Sequence, residues 1–463
     1  MKRTLKFYAA MVLAKCANKT LKLLKRNASY FPGNLALKIC PNFIEQVEKP
    51  NIIIGVTGTN GKTTVSNMLN DVLEDNGYKV INNRYGSNMN TGIAASFVNE
   101  NTITGKNKKD IAVFEMDERS TIHIFKYITP TYLICNNLSR DSIKRNANTA
   151  FIAGIIDKAI PASTTVITNG DDPICINLAN KNQKIYYGID RLDTDTEKCE
   201  NIVQDMVLCP QCNTKLEYEY YRYHHVGKMH CPNCDFKTPE MDYEITNIDY
   251  ENNQITIKDN VKKTEYTYLM IADGIINIYN MLSAITALKQ VGLSDEKIEK
   301  SLKKTKIVDT RFMIDEAGGK KIVLHLAKGQ NPIACSRAFD YVRKQPERKT
   351  IILFLDDLHE KNEIITWFYD ADYEFLNGEN VEQIIVSGKR YKDTVVRLLM
   401  GGVPKEKIFA ERDEKEAVKK YFNPQKIDSV YILYDLYSIK ERDAVHTEVK
   451  EILEKKAEEK KWR

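Results

Sequence analysis

Short apolar runs alternate with amphipathic stretches along most of the chain. Between residues 51 and 168 the apolar runs are NIIIGVTG, KVINN, DIAVFEM, YLICNN and TTVITNG. Alternation of this kind predicts a parallel β-sheet with helices on its faces. A second series begins after residue 310, with KKIVLHL, KTIILFLDD, EQIIVSG, KIFA and SVYILYDL. The pattern therefore predicts an α/β protein with two such sheets.

The stretch between the two series has a different character. Residues 201–242 are rich in Tyr, His and Cys and interrupt the alternation, so we interpret them as an insertion. Apolar strands resume in YEITNIDY, NQITIKD and TEYTYLMI, and a helix follows in GIINIYNMLSAITALKQVG. Because the chain is too long for one core, we expect several domains. Their predicted limits are an N-terminal segment 1–48, a central domain 49–305 with the insertion at about 201–242, and a C-terminal α/β domain 306–463.

The N-terminal segment contains LKFYAAMVLAKCANKTLKLLKR, an apolar stretch with basic flanks. Lys15 interrupts its apolar centre and no small-residue cleavage site follows, which disfavours a secretion signal. We predict a basic amphipathic helix. It either packs on the body of the protein or rests on a membrane surface.

The sequence GVTGTNGKTT lies between an apolar strand and a helical pattern. Its glycines let the backbone curl so that N–H groups point inward, and its lysine supplies a charge for phosphates. The threonine after that lysine offers a hydroxyl to Mg²⁺. The motif predicts a nucleotide-binding loop formed by Gly58, Thr59, Asn60, Gly61, Lys62, Thr63 and Thr64.

A nucleotide site that uses a metal ion also needs an acidic group opposite the loop. Glu115 ends an apolar run, and Asp117 and Glu118 follow it closely. The carboxyl ends of parallel strands are where such sites form. We therefore predict that Thr63 and Glu115 hold Mg²⁺; the alternative is that Glu115 is a solvated loop residue.

Two CxxC pairs, CPQC and CPNC, lie within the insertion and predict a closed tetrahedral zinc site in a structural ribbon. All the ligands are sulfur, so no position stays open for a catalytic water. A redox dithiol would need only one such pair. The predicted ligands are Cys209, Cys212, Cys231 and Cys234. The neighbouring histidines are expected at the ribbon surface and not among the ligands: His224, His225 and His230.

Composition narrows the function further. The chain has 463 residues and a formal net charge of +5, a basic excess too small to argue for nucleic acid. No apolar run approaches the length of a bilayer span. The remaining cysteines are scattered, which favours a reduced, cytoplasmic location. A position at the inner face of the membrane stays open.

Several motifs together resemble the central domain of the Mur ligases: GVTGTNGKTT, NRYGSNMNTGI, FEMDE, NNLSRD and GIINIYNMLSAITAL. The four-cysteine insertion and the run LHLAKGQNP are similar to those of the MurT subfamily, the ligase-like subunits of lipid II isoglutaminyl synthase. The resemblance covers nearly the whole chain. It implies a Mur ligase-type P-loop ATPase domain with an inserted four-cysteine zinc ribbon, followed by a Rossmann-like α/β C-terminal domain.

The resemblance also implies an activity. Members of this subfamily pair with a glutaminase subunit, GatD, and use ATP to phosphorylate the α-carboxylate of D-glutamate in the lipid II stem peptide. Ammonia released from glutamine then attacks the acyl phosphate and gives D-isoglutamine. The implied cofactors are ATP, Mg²⁺ and Zn²⁺, and the implied partners are GatD and lipid II or a related peptidoglycan precursor.

Further site residues follow from the same resemblance. Asn277 and Asn280 match asparagines that contact adenine, with helix capping and packing as the alternative. Arg311 matches an arginine that reaches phosphate when domains close. Asp357, in DDLHEKNEIITW, matches an acid that completes the glutaminase's Cys–His pair, with capping of the next segment as the alternative. The implied catalytic residues are Lys62, Glu115, Arg311 and Asp357.

Three stretches depart from the subfamily pattern. The DGxD part of the segment around Asp357 is absent, Ser142 replaces a longer polar side chain, and LYDLYSIKER stands for a TYTA-like stretch. Cys335 lacks the context of a glutaminase nucleophile. Two other functions therefore stay open: a divergent Mur-like ligase that amidates or aminoacylates another carboxylate, and a nucleotide-binding regulatory subunit.

Overall fold

The computed structural model describes residues 3–84, 87–141, 148–272, 274–305, 312–328, 331–355 and 365–461. The chain forms two compact units. Unit 1 comprises Met1–Ser139, Asn148–Cys199 and Asp205–Ile307. Unit 2 comprises Arg140–Ala147, Glu200–Gln204 and Val308–Arg463.

Unit 1 is built on a large, mostly parallel sheet. Its strands in chain order are β1 (Ile52–Thr57), β2 (Val80–Asn82), β3 (Ile111–Glu115), β4 (Tyr132–Cys135), β5 (Thr165–Asn169), β6 (Lys184–Ile189), β9 (Tyr243–Asp249), β10 (Gln254–Asp259) and β11 (Thr264–Leu269). They are ordered β11-β10-β9-β6-β5-β4-β1-β3-β2. From β2 to β9 neighbouring strands are parallel, whereas β10 and β11 add an antiparallel edge.

Helices cover both faces of this sheet. They are α1 (Leu5–Leu23), α2 (Phe31–Ile39), α3 (Phe43–Gln46), α4 (Lys62–Asp75), α5 (Asn90–Glu100), α6 (Thr121–Ile124), α7 (Thr149–Ala159), α8 (Pro173–Ile176), α9 (Ile275–Gln290) and α10 (Asp295–Leu302). Side chains of β1 alternate between the two cores: Ile54 and Val56 pack with α4 and α9, and Ile53 packs with α1, α2 and α5. A strand buried on both faces explains why β1 is almost wholly apolar.

The N-terminal helix packs on the body of unit 1. Thr4 caps it by accepting a hydrogen bond from the amide of Phe7 at 3.2 Å. Phe7, Met11 and Ala14 are fully buried. The ring of Phe7 stacks on Phe43 of α3 with centroids 5.2 Å apart. No helix in the described part of the chain is both long and apolar enough to cross a bilayer.

The insertion forms a hairpin with its own small core. Strands β7 (Glu217–Tyr223) and β8 (Val226–His230) pair antiparallel. Leu216, Met229 and Phe236 pack beside the four cysteines of the ribbon. The short turn between β7 and β8 packs against the rest of unit 1. Both residues of the turn, His224 and His225, are buried.

Unit 2 contains a second α/β sheet. Its strands are β12 (Phe312–Ala317), β13 (Lys320–Leu326), β14 (Lys349–Phe354), β15 (Val381–Val386), β16 (Ile408–Ala410) and β17 (Ser429–Tyr434). They are ordered β12-β13-β17-β14-β15-β16, and only the β12–β13 pair is antiparallel among the described strands. Its helices are α11 (Pro332–Lys344), α12 (Tyr391–Met400), α13 (Glu414–Tyr421) and α14 (Ile439–Lys461).

The predicted apolar runs all form strands at the expected places. The predictions omit β6, β7, β8 and β12. Strand β14 shows why the parallel strands were recognisable: Ile351 and Leu353 pack into one core and Ile352 and Phe354 into the other, so the run is continuously apolar.

Candidate active site

The loop of GVTGTNGKTT connects β1 to α4 through two glycines with left-handed backbones. Gly58 has φ +125° and Gly61 has φ +86°. A Cβ atom at Gly61 would lie 2.0 Å from Oδ1 of Asn280, and one at Gly58 would lie 2.9 Å from the carbonyl oxygen of Asn137. Both backbone conformation and close neighbours therefore require glycine at these positions.

The first half of the loop is held by the segment that follows β4. The amide of Thr59 donates to the carbonyl oxygen of Asn137 at 2.8 Å, and the amide of Asn60 donates to Oδ1 of Asn137 at 3.0 Å. The hydroxyl of Thr59 donates to the carbonyl oxygen of Ser139 at 2.9 Å. The N–H groups of Thr59 and Asn60 are therefore committed to the protein and not directed at a ligand.

The second half of the loop is the N-terminus of α4. Within the described residues, the amides of Gly61, Lys62, Thr63 and Thr64 have no hydrogen-bond acceptor, and no side chain caps the helix. Free N–H groups at the positive end of a helix attract anions. The structure thus concentrates the predicted phosphate-binding capacity in the last four loop residues.

Lys62 forms an ion pair with Glu118, which the sequence analysis noted only as an acidic residue close to Glu115. Its Nζ lies 2.6 Å from Oε1 of Glu118, and only 2% of the Glu118 side chain is exposed. Lys62 also donates to the carbonyl oxygen of Gly58. The ammonium group therefore lies over the loop with its charge balanced by a buried carboxylate.

Glu115 stands opposite the loop at the end of β3. Its Oε2 accepts a hydrogen bond from the hydroxyl of Thr63 at 2.8 Å, and its Oε1 accepts one from Nδ2 of Asn88 at 3.2 Å. Oδ1 of Asn83 accepts a hydrogen bond from the amide of Glu115 at 2.9 Å, and Nδ2 of Asn83 donates one to the carbonyl oxygen of Glu115 at 2.8 Å. The structure thus brings Thr63 and Glu115 together, and both offer the oxygen ligands that Mg²⁺ prefers.

The two asparagines of α9 have different surroundings. Asn280 is 3% exposed, and its Oδ1 accepts a hydrogen bond from Nδ2 of Asn136 at 3.3 Å directly beside Gly61. Asn277 lies one turn earlier and is half-buried. Asn280 therefore supports the phosphate loop through Asn136, a contact that the sequence analysis did not anticipate.

Several predicted residues lie outside the described part of the chain: Ser142, Arg311 and the segment 356–364 with Asp357. Cys335 is described and fully buried, and burial raises the pKa of its thiol.

An arginine of the insertion anchors the hairpin next to the nucleotide loop. Arg222 of β7 lies 3.0 Å from Asp171 and 2.7 Å from Asp195, and at most 2% of each of these side chains is exposed. Its Nη1 also donates to the hydroxyl of Tyr279 at 2.5 Å. Because Tyr279 precedes Asn280 in α9, the hairpin is tied to the helix that supports the phosphate loop.

The expectation that His224 and His225 lie at the ribbon surface is wrong. They are 1% and 2% exposed, because the hairpin turn inserts into the wall of unit 1. Nε2 of His225 lies 3.4 Å from Oδ1 of Asp172. Burial opposes both charges, yet their attraction prevails and keeps the pKa of His225 above and that of Asp172 below the usual values. Asp172 also accepts the amide of Leu138 at 3.0 Å.

The four ribbon cysteines form a compact cluster of free thiols. Their sulfur atoms all lie within 4.8 Å of one another, and two of the pairs are 3.4 Å and 3.5 Å apart. Tetrahedral Zn–S bonds of about 2.3 Å place sulfurs about 3.8 Å apart, so the cluster fits a zinc ion. The amides of Gln211 and Asn233 each donate to a cysteine sulfur at 3.4 Å, which stabilises thiolate charge.

Comparisons with known proteins agree with this architecture. The family model of the Mur ligase middle domain matches residues 56–234, and that of the MurT ligase C-terminal domain matches residues 328–438. The chain is similar to the lipid II isoglutaminyl synthase (glutamine-hydrolyzing) subunit MurT of Staphylococcus aureus (strain COL), with 29% identity over 416 residues that span 89% of this chain and 92% of the relative.

Two further relatives extend the comparison. The protein of the same name from Streptococcus pneumoniae (strain ATCC BAA-255 / R6) is 29% identical over 428 residues, which span 89% of this chain and 94% of the relative. Among solved structures, the pseudomurein peptide ligase type C from Methanothermus fervidus aligns with a TM-score of 0.66 and 20% identity. That alignment covers 90% of this chain and 84% of the other, and it shows a common fold.

Proposed function

We propose that the chain is the ligase subunit of a lipid II isoglutaminyl synthase and a member of the MurT family of the Mur ligases, which are ATP-dependent amide-forming ligases. The observation that carries the ATP chemistry is the meeting of Thr63 and Glu115 beside the free amides of α4. The acceptor in this proposal is the α-carboxylate of D-glutamate in the lipid II stem peptide.

The loop would bind the β- and γ-phosphates of ATP. The free amides from Gly61 to Thr64 donate to phosphate oxygens, and Lys62 adds a positive charge at the same place. A lysine side chain has four rotatable bonds, so the ammonium of Lys62 could exchange the carboxylate of Glu118 for a phosphate oxygen. Asn277 is half-buried whereas Asn280 is almost fully buried, so Asn277 is the better placed of the two asparagines to contact adenine.

Thr63 and Glu115 would hold Mg²⁺ between them. When bound, the ion neutralises the charge that develops on the phosphate oxygens during transfer. Asn83 and Asn88 fix the backbone and the carboxylate of Glu115, so its orientation is set before the substrates arrive.

The reaction has two steps. A carboxylate oxygen of the acceptor takes the γ-phosphoryl group, and ADP leaves. The nitrogen of ammonia then attacks the carbonyl carbon of the acyl phosphate, inorganic phosphate leaves, and a proton is released from nitrogen. The ammonia comes from glutamine hydrolysed by a glutaminase partner, GatD. In this scheme residues 49–305 carry the ATP chemistry, Arg311 contacts phosphate, and residues 306–463 bind the glutaminase through Asp357.

The ribbon would hold Zn²⁺ with four thiolates and would act structurally. Metal analysis of the purified protein should give one zinc ion per chain, and Cys231→Ser should lose it. A zinc content well below one in wild-type protein prepared without chelators would contradict this part of the proposal. None of the ten cysteines forms a disulfide, which suits a cytoplasmic enzyme working at the inner face of the membrane.

An isotope experiment tests the whole proposal. The protein is co-purified with its glutaminase partner and supplied with ATP, Mg²⁺, lipid II and glutamine labelled with ¹⁵N in the side-chain amide. We expect ¹⁵N in an amide of the stem peptide, one ADP per amide, and no product from the Glu115→Ala complex. Amidation of another acid would refute the acceptor. The absence of ADP release with every substrate present would refute the ligase assignment and favour a regulatory subunit.

A further inference from the structure

The N-terminal helix α1 has two apolar faces, and the body of unit 1 uses only one of them. Phe7, Ala10, Met11 and Ala14 are fully buried. The opposite face is exposed along its whole length. Its exposed apolar side chains are Leu5 at 89%, Tyr8 at 38%, Val12 at 43%, Leu13 at 51% and Leu23 at 76%.

The exposed residues form a continuous stripe. At about 100° per residue, Leu5, Val12, Cys16 and Leu23 fall within roughly 40° of one line along the helix. We call this stripe the outer face of α1. Packing on unit 1 does not explain such a face. Exposed apolar residues are usually scattered singly over a protein surface, whereas these form one line.

Basic side chains flank the outer face. Lys6 lies on one side of it, and Lys15, Lys19 and Lys22 lie on the other, by the same helical spacing. Seven lysines and two arginines precede Glu45, the first acidic residue of the chain. The surface is therefore apolar at its centre and positive at its margins, with no acid on the helix to oppose an anionic partner.

The connection after α1 continues the same chemistry. Leu24 is 63% exposed, and Tyr30 and Phe31 are each 51% exposed. Lys25 and Arg26 lie between them in the sequence. Aromatic side chains beside basic ones are typical of segments that lie at a membrane interface.

We propose that the outer face of α1 docks in the plane of an anionic membrane. Leu5, Val12 and Leu23 enter the boundary between headgroups and acyl chains, while the flanking lysines extend to the phosphates. The charge pattern selects an anionic lipid surface over an apolar protein groove. The docking follows from the helix alone; only its purpose, to bring the active site to a lipid-linked acceptor, rests on the proposed function.

Vesicle binding of the full-length protein tests this docking without substrates. The protein is mixed with vesicles of phosphatidylglycerol and phosphatidylcholine in equal amounts, or of phosphatidylcholine alone, and separated by flotation. Three variants are compared: Val12→Gln with Leu23→Gln, Lys19→Glu with Lys22→Glu, and Val261→Gln as the matched control. Val261 is 64% exposed in the turn between β10 and β11.

We expect wild type and the Val261 control to bind the anionic vesicles equally, with binding weakened by salt. Each α1 double variant should bind at least about tenfold more weakly, and the neutral vesicles should bind little. The substituted side chains are exposed, so nucleotide binding and circular dichroism should be unchanged in every variant.

Other outcomes would overturn the docking. These are no wild-type binding to anionic vesicles, equal binding to neutral vesicles, or binding that neither double variant reduces. A dimer that the α1 variants dissociate, without vesicle binding, would assign the outer face to a second copy. Failure of lipid II amidation while vesicle binding stands would overturn only the proposed function.

Discussion

Replacing Arg222 with methionine tests whether the insertion stabilises the wall of the nucleotide site. Methionine keeps an apolar stem of similar reach and removes the guanidinium. Asp171 and Asp195 then remain almost fully buried without their cation. Breaking a buried ion pair in this way costs about 3–5 kcal/mol, because the stranded charge stays desolvated. We expect the free energy of unfolding of unit 1 to fall by this amount at pH 7.

The loss should depend on pH in a defined direction. Burial raises the pKa of Asp171 above its usual value, against the pull of Arg222. Without the arginine, Asp171 binds a proton more readily in the folded protein than in the unfolded chain. The free energy of unfolding of the variant therefore falls as pH rises above the unfolded pKa of aspartate, which is about 4. The deficit of Arg222→Met should therefore be smaller at pH 5 than at pH 7.

Urea unfolding measures the effect, and the buried tryptophan of unit 2 provides an internal control. Trp367 is buried in unit 2, so the change in its fluorescence follows that unit, while far-UV circular dichroism follows both units. We expect Arg222→Met to shift the circular dichroism transition more than the tryptophan transition. The same variant should weaken ATP binding, because Tyr279 and Asn280 lie on the helix next to the loop.

A rescue variant decides whether charge is the cause. Adding Asp171→Asn and Asp195→Asn to Arg222→Met removes the stranded charges and should recover at least half of the lost stability. A loss below about 1 kcal/mol at pH 7 would refute the reasoning, since exposed ion pairs contribute no more than that. So would a rescue variant no more stable than Arg222→Met alone.

Three further predictions concern the loop, the metal position and unit 2. Gly61→Ala adds a Cβ 2.0 Å from Oδ1 of Asn280 at a backbone φ of +86°, so calorimetry should show ATP binding weakened at least about tenfold. Adding Asn280→Ala should recover only the part of the loss that comes from this steric clash, and an unchanged affinity of Gly61→Ala would contradict the prediction. Glu115→Gln removes the carboxylate facing Thr63 and should lower the rate of ADP release about a hundredfold while raising the Mg²⁺ requirement; a normal Mg²⁺ titration would argue against the assignment. Burial lowers the pKa of His325 to about 4, so the unfolded chain takes up a proton at this residue between pH 7 and pH 5 while the folded protein does not. Over this range the free energy of unfolding of the wild type should fall by about 2 kcal/mol more than that of His325→Gln, and parallel pH profiles from urea unfolding would contradict the prediction.

The parts of the fold that the sequence predicted are those with a local signature. β1 and β14 are buried on both faces, so their apolar runs stand out without any knowledge of the tertiary structure. The loop and the cysteine cluster depend on fixed spacings, and Thr63 meets Glu115 because neighbouring parallel strands end at one sheet edge.

The parts that escaped prediction depend on distant polar partners. Arg222 and His225 occur in a Tyr-rich stretch that is polar enough to suggest a surface, and only their pairing with Asp171 and Asp172 permits burial. Strand β7, which carries Arg222, has a mixed pattern for the same reason. Asn83 likewise gave no signal, because its role is to hold the backbone of a residue on another strand.

The bonds from Asn137 to the first half of the phosphate loop have a consequence for nucleotide binding. Thr59 and Asn60 are fixed by the protein itself, so the concave shape exists before any nucleotide arrives. Under the proposed function, ATP binding would need little backbone ordering, and the Lys62 ammonium would move from Glu118 to the incoming phosphate. Nucleotide binding would then replace one anionic partner of Lys62 with another and would leave the backbone of the loop unchanged.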